Sequence, residues 1–376
     1  MAYSFLLAST AVVLYTWILY PLLLCVLRLF RRQAKQPGAS VNDPLVSIII
    51  PVHNEEQRIT AKLKNCLKLL YPHDQLEIIV ASDGSTDDTE DIVRAFIARD
   101  SRIRLMTSNR LGKSGVQNLA AAQARGQMLF FTDANTAATP GTLRMMVDDF
   151  ADPAVGLVTA TVHFGHPEDD VEKGQGFYWR YELFLRAAES DLGILATGSG
   201  QALLVRREFF RPLPPFYGDD CIMPLDVRLQ GHKVMQNPNA IVLDTMPHSI
   251  EGELRARIRM TARNWTGTLA RPAILNPLRF PLTALGLVSH KLLRWLTPFF
   301  LAIAFLSNAL LALQGRLVLL ALLQLGFYLS AFIGWTLACK QRPAGIFGYP
   351  FSFCLANVGF MLGMLRAFRN QKIVAY

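Results

Sequence analysis

Cysteine is scarce in this chain. The five, at positions 25, 66, 221, 339 and 354, show no metal-ligand spacing; that removes a cysteine metal site and predicts free thiols, with the soluble part in a reducing compartment. A dinucleotide-binding glycine fingerprint is missing after the first apolar run. Gly112-Lys113-Ser114-Gly115 also lacks the glycine spacing of a nucleotide-hydrolase phosphate loop, so neither of those folds is indicated. There is no internal repeat and no low-complexity tract. Charge is absent from four long stretches, Phe5–Leu27, Leu296–Leu313, Leu317–Ala338 and Ala344–Leu365, each about as long as the roughly 20 apolar residues that cross a bilayer as helix. The first of these lacks the basic start and small-residue cleavage site of a signal peptide and is too long for one, so it is expected to be retained.

What is present fits that reading. A mean hydropathy of +0.25 exceeds what the core of a soluble protein of 376 residues requires, so part of the apolar content faces lipid. Residues 42–279 read instead as ordinary globular sequence, one soluble domain between membrane segments. The net charge of +9 is largely topological, because cations such as Arg28, Arg31, Arg32 and Lys35 flank an apolar run; they place the following domain in the cytoplasm. No nucleic-acid partner is expected, and membrane lipid is.

The predicted organisation is an N-terminal transmembrane helix over 1–30, a basic linker over 31–43 and a cytoplasmic domain over 44–270. Next come an interfacial helix over 280–295, where His290, Lys291 and Arg294 interrupt leucines at helical spacing, and a region of two or three spans with a tail over 296–376. A fourth full crossing would leave Arg366, Arg369 and Lys372 outside, and Gly345, Gly348 and Pro350 weaken that last segment. A re-entrant path is the alternative.

Within the domain, Val46–Ile50 and Ile78–Ala81 are short β-branched runs, Met128–Phe131 is a third apolar run, and helix-like stretches lie between them. Alternating β/α order predicts a mostly parallel sheet that binds its ligand at the carboxyl ends of the strands. The residues there are polar: Pro51-Val52-His53-Asn54-Glu55-Glu56 after the first run, Ser82-Asp83-Gly84-Ser85 after the second, Thr132-Asp133-Ala134-Asn135 after the third. Asn54 and Ser85 read either as helix caps, with Gln57 and Asp88 three residues on, or as ligand contacts, whereas Asp83 precedes the cap and shows no structural duty. Asp133 and Asn135, two apart on one side of an extended chain, offer oxygen donors that suit Mg²⁺ or Mn²⁺. Lys113 and the N–H groups after Gly112 suit phosphate. Asp219 and Asp220 either begin a helix or supply a general base, and Arg255, Arg257, Arg259 and Arg263 with Trp265 either meet anionic headgroups or bind diphosphate and sugar.

Taken in order along nearly the whole chain, Pro51–Glu56, Ser82–Thr89, Gly112–Asn118, Thr132–Asn135, Thr197–Arg207 and Gly218–Gly231 resemble glycosyltransferase family 2. Among its members they resemble most the membrane-bound branch of cellulose, hyaluronan and poly-N-acetylglucosamine synthases. The resemblance implies a GT-A nucleotide-sugar-binding domain and an inverting transfer of a hexosyl or N-acetylhexosaminyl unit. The donor would be a nucleotide sugar, expected to be UDP-linked, and the acceptor a saccharide or lipid-linked molecule at the cytoplasmic face of the inner or plasma membrane. It implies that Pro51, His53, Asn54, Glu55, Asp83, Lys113, Asp133 and Arg263 hold the nucleotide sugar, that Asp133 and Asn135 hold a divalent metal, and that Gly198, Ser199, Gly200 and Trp265, with Arg206 and Arg207 nearby, shape the acceptor site. Asp220 would be the base, with Asp219 beside it. Export partners for a polysaccharide, or a homo-oligomer, belong to the same expectation.

Two departures stand out. Asn135 replaces the family's usual second acid. The Gln-x-x-Arg-Trp of processive synthases is replaced by Arg259-Met260-Thr261-Ala262-Arg263-Asn264-Trp265. They favour, as alternatives, a single addition to a polyprenyl-linked acceptor or an inactive nucleotide-binding membrane module.

Overall fold

The computed structural model describes residues 1–30, 43–165, 177–245, 249–340 and 342–369. The expected linker, with Arg31, Arg32 and Lys35, lies outside the described residues apart from Asp43, as does Lys372.

Strand β1 (Val46–Val52) and β2 (Leu76–Asp83) are buried along their whole length. That is why they read as continuous apolar runs: helices cover both faces of the sheet, so neither face can be polar. In β1, Ile48 and Ile50 join one core with Leu63 and Leu143, while Ile49 points the other way and meets Val116, Ala120 and Ile222, the alternation of a strand. The remaining strands are β3 (Ile103–Ser108), β4 (Met128–Thr132), β5 (Ala137–Ala138), β6 (Val155–Phe164), β7 (Ala202–Arg206) and β8 (Lys233–Asp244), in the order β3-β2-β1-β4-β7-β6-β8-β5.

The sheet is mostly parallel, as expected, and mixed only through two reversed strands. β1 is parallel to β2 and β4, β2 to β3, and β6 to β8, but β7 runs antiparallel between β4 and β6, and β5 antiparallel to β8. The reversal of β7 decides where its flanks go. Gly198-Ser199-Gly200, just before it, arrive at the edge where β1, β2 and β4 end. Arg206 pairs with Met128 at the opposite edge, where it and Arg207 line a cavity of about 730 Å³ with Pro44, Gln127 and Phe150. The resemblance placed these two arginines beside the acceptor; the strand direction removes them from it.

Among the described residues, four helices are long and apolar enough to cross a membrane: Ala2–Leu29, Pro281–Leu313, Val318–Cys339 and Gly345–Phe368. Leu7, Leu306, Leu319 and Leu323 stand exposed on the first three, a surface that water would not tolerate in such quantity. Between the helices, Trp17 Nε1 donates to Thr297 Oγ1 at 3.1 Å and Asn308 Nδ2 to Gln324 Oε1 at 2.9 Å.

Residues 280–295, expected as a separate surface helix, form the start of the continuous run Pro281–Leu313. Their cations turn inward. Lys291 Nζ lies 2.7 Å from Glu182 Oε1, His290 bridges Glu182 and Glu189 at 3.1 and 2.8 Å, and Arg294 pairs with Glu182. Two buried glutamates on the helix Phe177–Asp191 thus draw in charges that otherwise suit lipid headgroups, because an unpaired buried carboxylate is costly. Arg186, also on Glu182, donates to Gly198 O at 3.1 Å and Ser199 Oγ at 2.7 Å, which ties the long apolar helices to the loop before β7.

Helix Gly348–Phe368 does not extend away from the domain. Gly359 and Gly363 face helix Ile250–Leu269 so closely that a Cβ would come within 2.9 Å of Arg257 Cβ and 2.7 Å of Thr261 Cβ, respectively, and Phe368 meets Trp265 edge-on at 6.0 Å. Small residues at that spacing allow two backbones to approach.

Candidate active site

The edge formed by the ends of β1, β2 and β4 gathers the polar motifs. Asn54, held at φ +54, does not cap the helix Glu56–Leu67, whose N-cap is Glu55. Its Oδ1 accepts Thr86 N at 2.8 Å, its Nδ2 donates to Thr86 Oγ1 at 3.3 Å, and its own N–H reaches Ser85 Oγ. Ser85 likewise does not cap the next helix, whose N-cap is Asp88. These side chains join the two loops instead. Glu55 N–H donates to Thr89 Oγ1 at 2.8 Å, Pro51 lies opposite Ala81 in β2, and His53 pairs with Arg110.

Asp83 has a structural duty that its position in the sequence did not reveal. Its carboxylate, 1% exposed, accepts Leu111 N–H at 2.6 Å, Gly112 N–H at 2.8 Å and Ser108 Oγ–H at 3.1 Å. An acid facing the first N–H groups of helix Gly112–Gln123 is favoured by the helix dipole, and it fixes the turn that delivers Lys113.

Lys113 is the centre of the arrangement. Its Nζ lies 2.8 Å from Asp133 Oδ1 and 3.0 Å from Asp219 Oδ2, so β4, helix Gly112–Gln123 and helix Asp219–Leu229 meet at one ammonium. Burial opposes that charge, but Asp133 and Asp219 outweigh it and raise the group above the usual lysine value. Gln117 Nε2 adds a bond to Asp219 Oδ2 at 2.9 Å.

The acid pair is driven apart. Burial works against ionisation of Asp219, yet Lys113, the Gln117 amide and Arg263 hold its carboxyl below the ordinary value. For Asp220, burial first and the Asp219 charge second push the carboxyl up, and Arg263, Asn264 and Arg186 offset this only in part. Neighbouring carboxyls with opposed environments suit different roles. The loop before β7 closes on them: Gly198 N–H donates to Asp220 O at 2.8 Å, and a Cβ on Gly200 would stand 3.3 Å from Asp219 Oδ1. Gly218 has no room for a side chain, since one would strike Asp220 Oδ1 and Asn264 Oδ1.

Helix Ile250–Leu269 supplies the other wall. Arg263 donates to Tyr217 O and its charge reaches both acids. Trp265 is not brought to the acid pair; it packs edge-on against Trp295 at 6.2 Å and against Phe368. Asn264, which the sequence reading passed over, is the residue that touches the acid, donating Nδ2 to Asp220 Oδ2 at 3.2 Å. Lys62 was also missed. Buried at 2% exposure, it donates to Thr132 Oγ1, Thr136 O and Thr136 Oγ1 at 2.7, 2.9 and 3.1 Å and so pins the turn carrying Asp133 and Asn135. Its signal was a lysine on the apolar stripe Ile59, Leu63, Cys66.

Asp133 is partly exposed and Asn135 exposed, and both present oxygen donors at a strand end. That donor set fits a hard divalent cation completed by a diphosphate and water. Among the described residues, no group of three or more His, Cys, Asp or Glu forms a cage of its own.

Residues 47–213 match the model of glycosyl transferase family 2. The chain carries a glycosyl transferase family 2 domain. Over 266 residues, 64% of this chain and 61% of the relative, it is 26% identical to an N-acetylglucosaminyltransferase of Rhizobium meliloti (strain 1021). It is 32% identical over 178 residues to glycosyltransferase AglE of Haloferax volcanii, covering 46% of this chain and 56% of the relative. The chain thus spans about three fifths of the length of these curated relatives. A solved structure, mannosyltransferase PcManGT from Pyrobaculum calidifontis in complex with GDP-Man and Mn²⁺, superposes with a TM-score of 0.77 at 22% identity, covering 99% of this chain and 100% of that one. The fold of the glycosyltransferase domain is therefore GT-A-like, α/β with a mixed central sheet, and the four apolar helices are added to it.

Proposed function

We propose that the chain transfers a sugar from a nucleoside-diphosphate sugar to a saccharide or lipid-linked acceptor at the membrane surface, with inversion at the anomeric carbon. The observation that supports this best is the polar line from Asp133 through Lys113 and Asp219 to Asp220, because it sets groups suited to a diphosphate next to a carboxyl suited to accept a proton. Asp220, with its carboxyl pushed up, takes the proton of the acceptor hydroxyl. That oxygen bonds to the anomeric carbon while the bond from this carbon to the diphosphate breaks, and the diphosphate leaves with the electron pair. A divalent cation at Asp133 and Asn135, when bound, neutralises the departing diphosphate. Lys113 turns its ammonium to the same group, Asp219 holds that lysine, and Arg263 adds positive charge. The joined loops at Pro51, His53, Asn54, Glu55 and Asp83 bound the nucleoside end, and Gly198, Ser199 and Gly200 border the acceptor side of the acids.

A UDP-sugar is the donor that the family resemblance suggests, and the GDP-Man complex of the solved relative makes a GDP-sugar the second candidate. Packing of Trp265 against Trp295 and Phe368 turns that aromatic away from the acids and favours single addition over chain extension. The helices anchor the domain in the inner or plasma membrane with its active site in the cytoplasm, which agrees with Arg28 following the first apolar run. The last apolar helix returns to the domain face.

The test is nucleotide release by the purified full chain with UDP-N-acetylglucosamine, UDP-glucose and GDP-mannose, with a polyprenyl phosphate present, in Mn²⁺ and in EDTA. Metal-dependent release with a one-sugar product supports the proposal. A ladder of oligomers replaces single addition by extension, and no release with any donor in Mn²⁺ favours an inactive binding module.

A further inference from the structure

Asp244, 8% exposed at the end of β8, is surrounded by donors. Its Oδ1 accepts Asn135 Nδ2 at 3.0 Å and Thr245 N–H at 2.7 Å, and its Oδ2 accepts Gln201 Nε2 at 3.1 Å. The backbone N–H cannot be reversed, and a carboxylate only accepts. Asn135 must therefore face it through nitrogen. Since the amide is planar, its other arm, the carbonyl oxygen, is directed away from Asp244, on the exposed side of the turn that also carries Asp133.

We propose that Asp244 is a positioning residue for the cation and diphosphate site: it locks the Asn135 amide so that a carbonyl oxygen, not an N–H, is offered beside the Asp133 carboxylate. Orientation thus compensates for the charge that asparagine lacks relative to the family's usual second acid. Partners behind a ligand of this kind fix which atom it presents. Gln201, which directly follows Gly198-Ser199-Gly200, shares the Asp244 carboxylate, so the anchor of the donor motif is also tied to the loop beside the acceptor. The inference rests on the proposed role of Asp133 and Asn135.

The experiment measures Mn²⁺ binding to the full chain in detergent by electron paramagnetic resonance, with UDP and separately with GDP. Asp244→Ala removes the acceptor, lets the Asn135 amide turn either way and weakens Mn²⁺ binding by about tenfold, within the range found for such partners. Asp244→Asn, whose amide oxygen can still accept both the Thr245 N–H and the Asn135 amide, keeps binding within about threefold of wild type. In an Asn135→Ala background, Asp244→Ala adds no further loss. A full further loss in the Asn135→Ala background overturns the inference, because Asp244 then acts without Asn135. Unchanged binding by Asp244→Ala, or an Asp244→Asn as weak as Asp244→Ala, overturns it as well. Asp133→Ala separates this from the underlying reading: if that variant still binds Mn²⁺ with nucleotide as wild type does, the site itself is misassigned. If only Asp133→Ala is impaired, the site stands and the positioning role falls.

Discussion

Asn264 donates its side-chain amide to Asp220 Oδ2 across 3.2 Å, joining the helix that rests on the last apolar helix to the acid proposed as base. Trp265, its neighbour, points into the aromatic cluster with Trp295 and Phe368. Replacing each residue separates the two roles. Asn264→Leu is expected to lower kcat by about tenfold or more with little change in KM for the donor, since it removes a contact to the reacting carboxyl. Trp265→Ala is expected to lower thermal stability by on the order of 2 kcal/mol and to affect kcat less. Steady-state kinetics with thermal unfolding of both variants check this.

The charge on Asp219 is one cause of the upward push on Asp220. Neutralising it in Asp219→Asn lowers the Asp220 value. Because the base acts deprotonated, the acid limb of the kcat profile moves to lower pH, while the maximum rate falls as Lys113 loses a partner. A pH profile of kcat for wild type and variant gives the answer; a limb that stays in place argues against the coupling.

The parts of the molecule that could be read in advance are those whose signal is local. Val46–Ile50 and Ile78–Ala81 declare buried parallel strands by composition, and Asp133 and Lys113 declare themselves by standing at strand and helix ends. What escaped depends on tertiary placement. β7 is a short apolar run whose direction no periodicity encodes, so Arg206 and Arg207 were assigned to the wrong edge. Asp83 looked unemployed because its partners, Leu111 and Gly112, lie 28 and 29 positions away. Asn264 was hidden by the expectation attached to its neighbour Trp265, and the cations at 290, 291 and 294 looked lipid-facing because Glu182 and Glu189 are about a hundred residues away.

Asp149 offers a stability measurement away from the site. Burial raises its carboxyl from 3.8 to about 6, against a stabilising bond from Asn237. A carboxyl whose folded value lies above its unfolded one favours the fold while protonated, and that contribution is lost as pH rises through about 6. Asp149→Asn stays neutral and can still accept from Asn237, so it should be more stable than wild type at pH 7 by on the order of 1–2 kcal/mol. The difference should vanish below pH 4. Thermal unfolding at a series of pH values reads it directly.

Gly363 seats the last apolar helix on Thr261 and Ile258 O. Gly363→Val forces the helices apart at a backbone contact, which costs about 1–3 kcal/mol, and disturbs the helix that carries Arg263 and Asn264. Lower melting temperature together with reduced turnover is expected; a melting temperature equal to wild type would show that the seat is not tight in the protein.

The account turns on Asp220 as the proton acceptor in sugar transfer. With the donor that proves active, transfer by Asp220→Asn should fall by about 10²–10⁴-fold, the contribution of a general base, while Mn²⁺-dependent nucleotide binding stays within about twofold of wild type. Full turnover by Asp220→Asn would contradict the account.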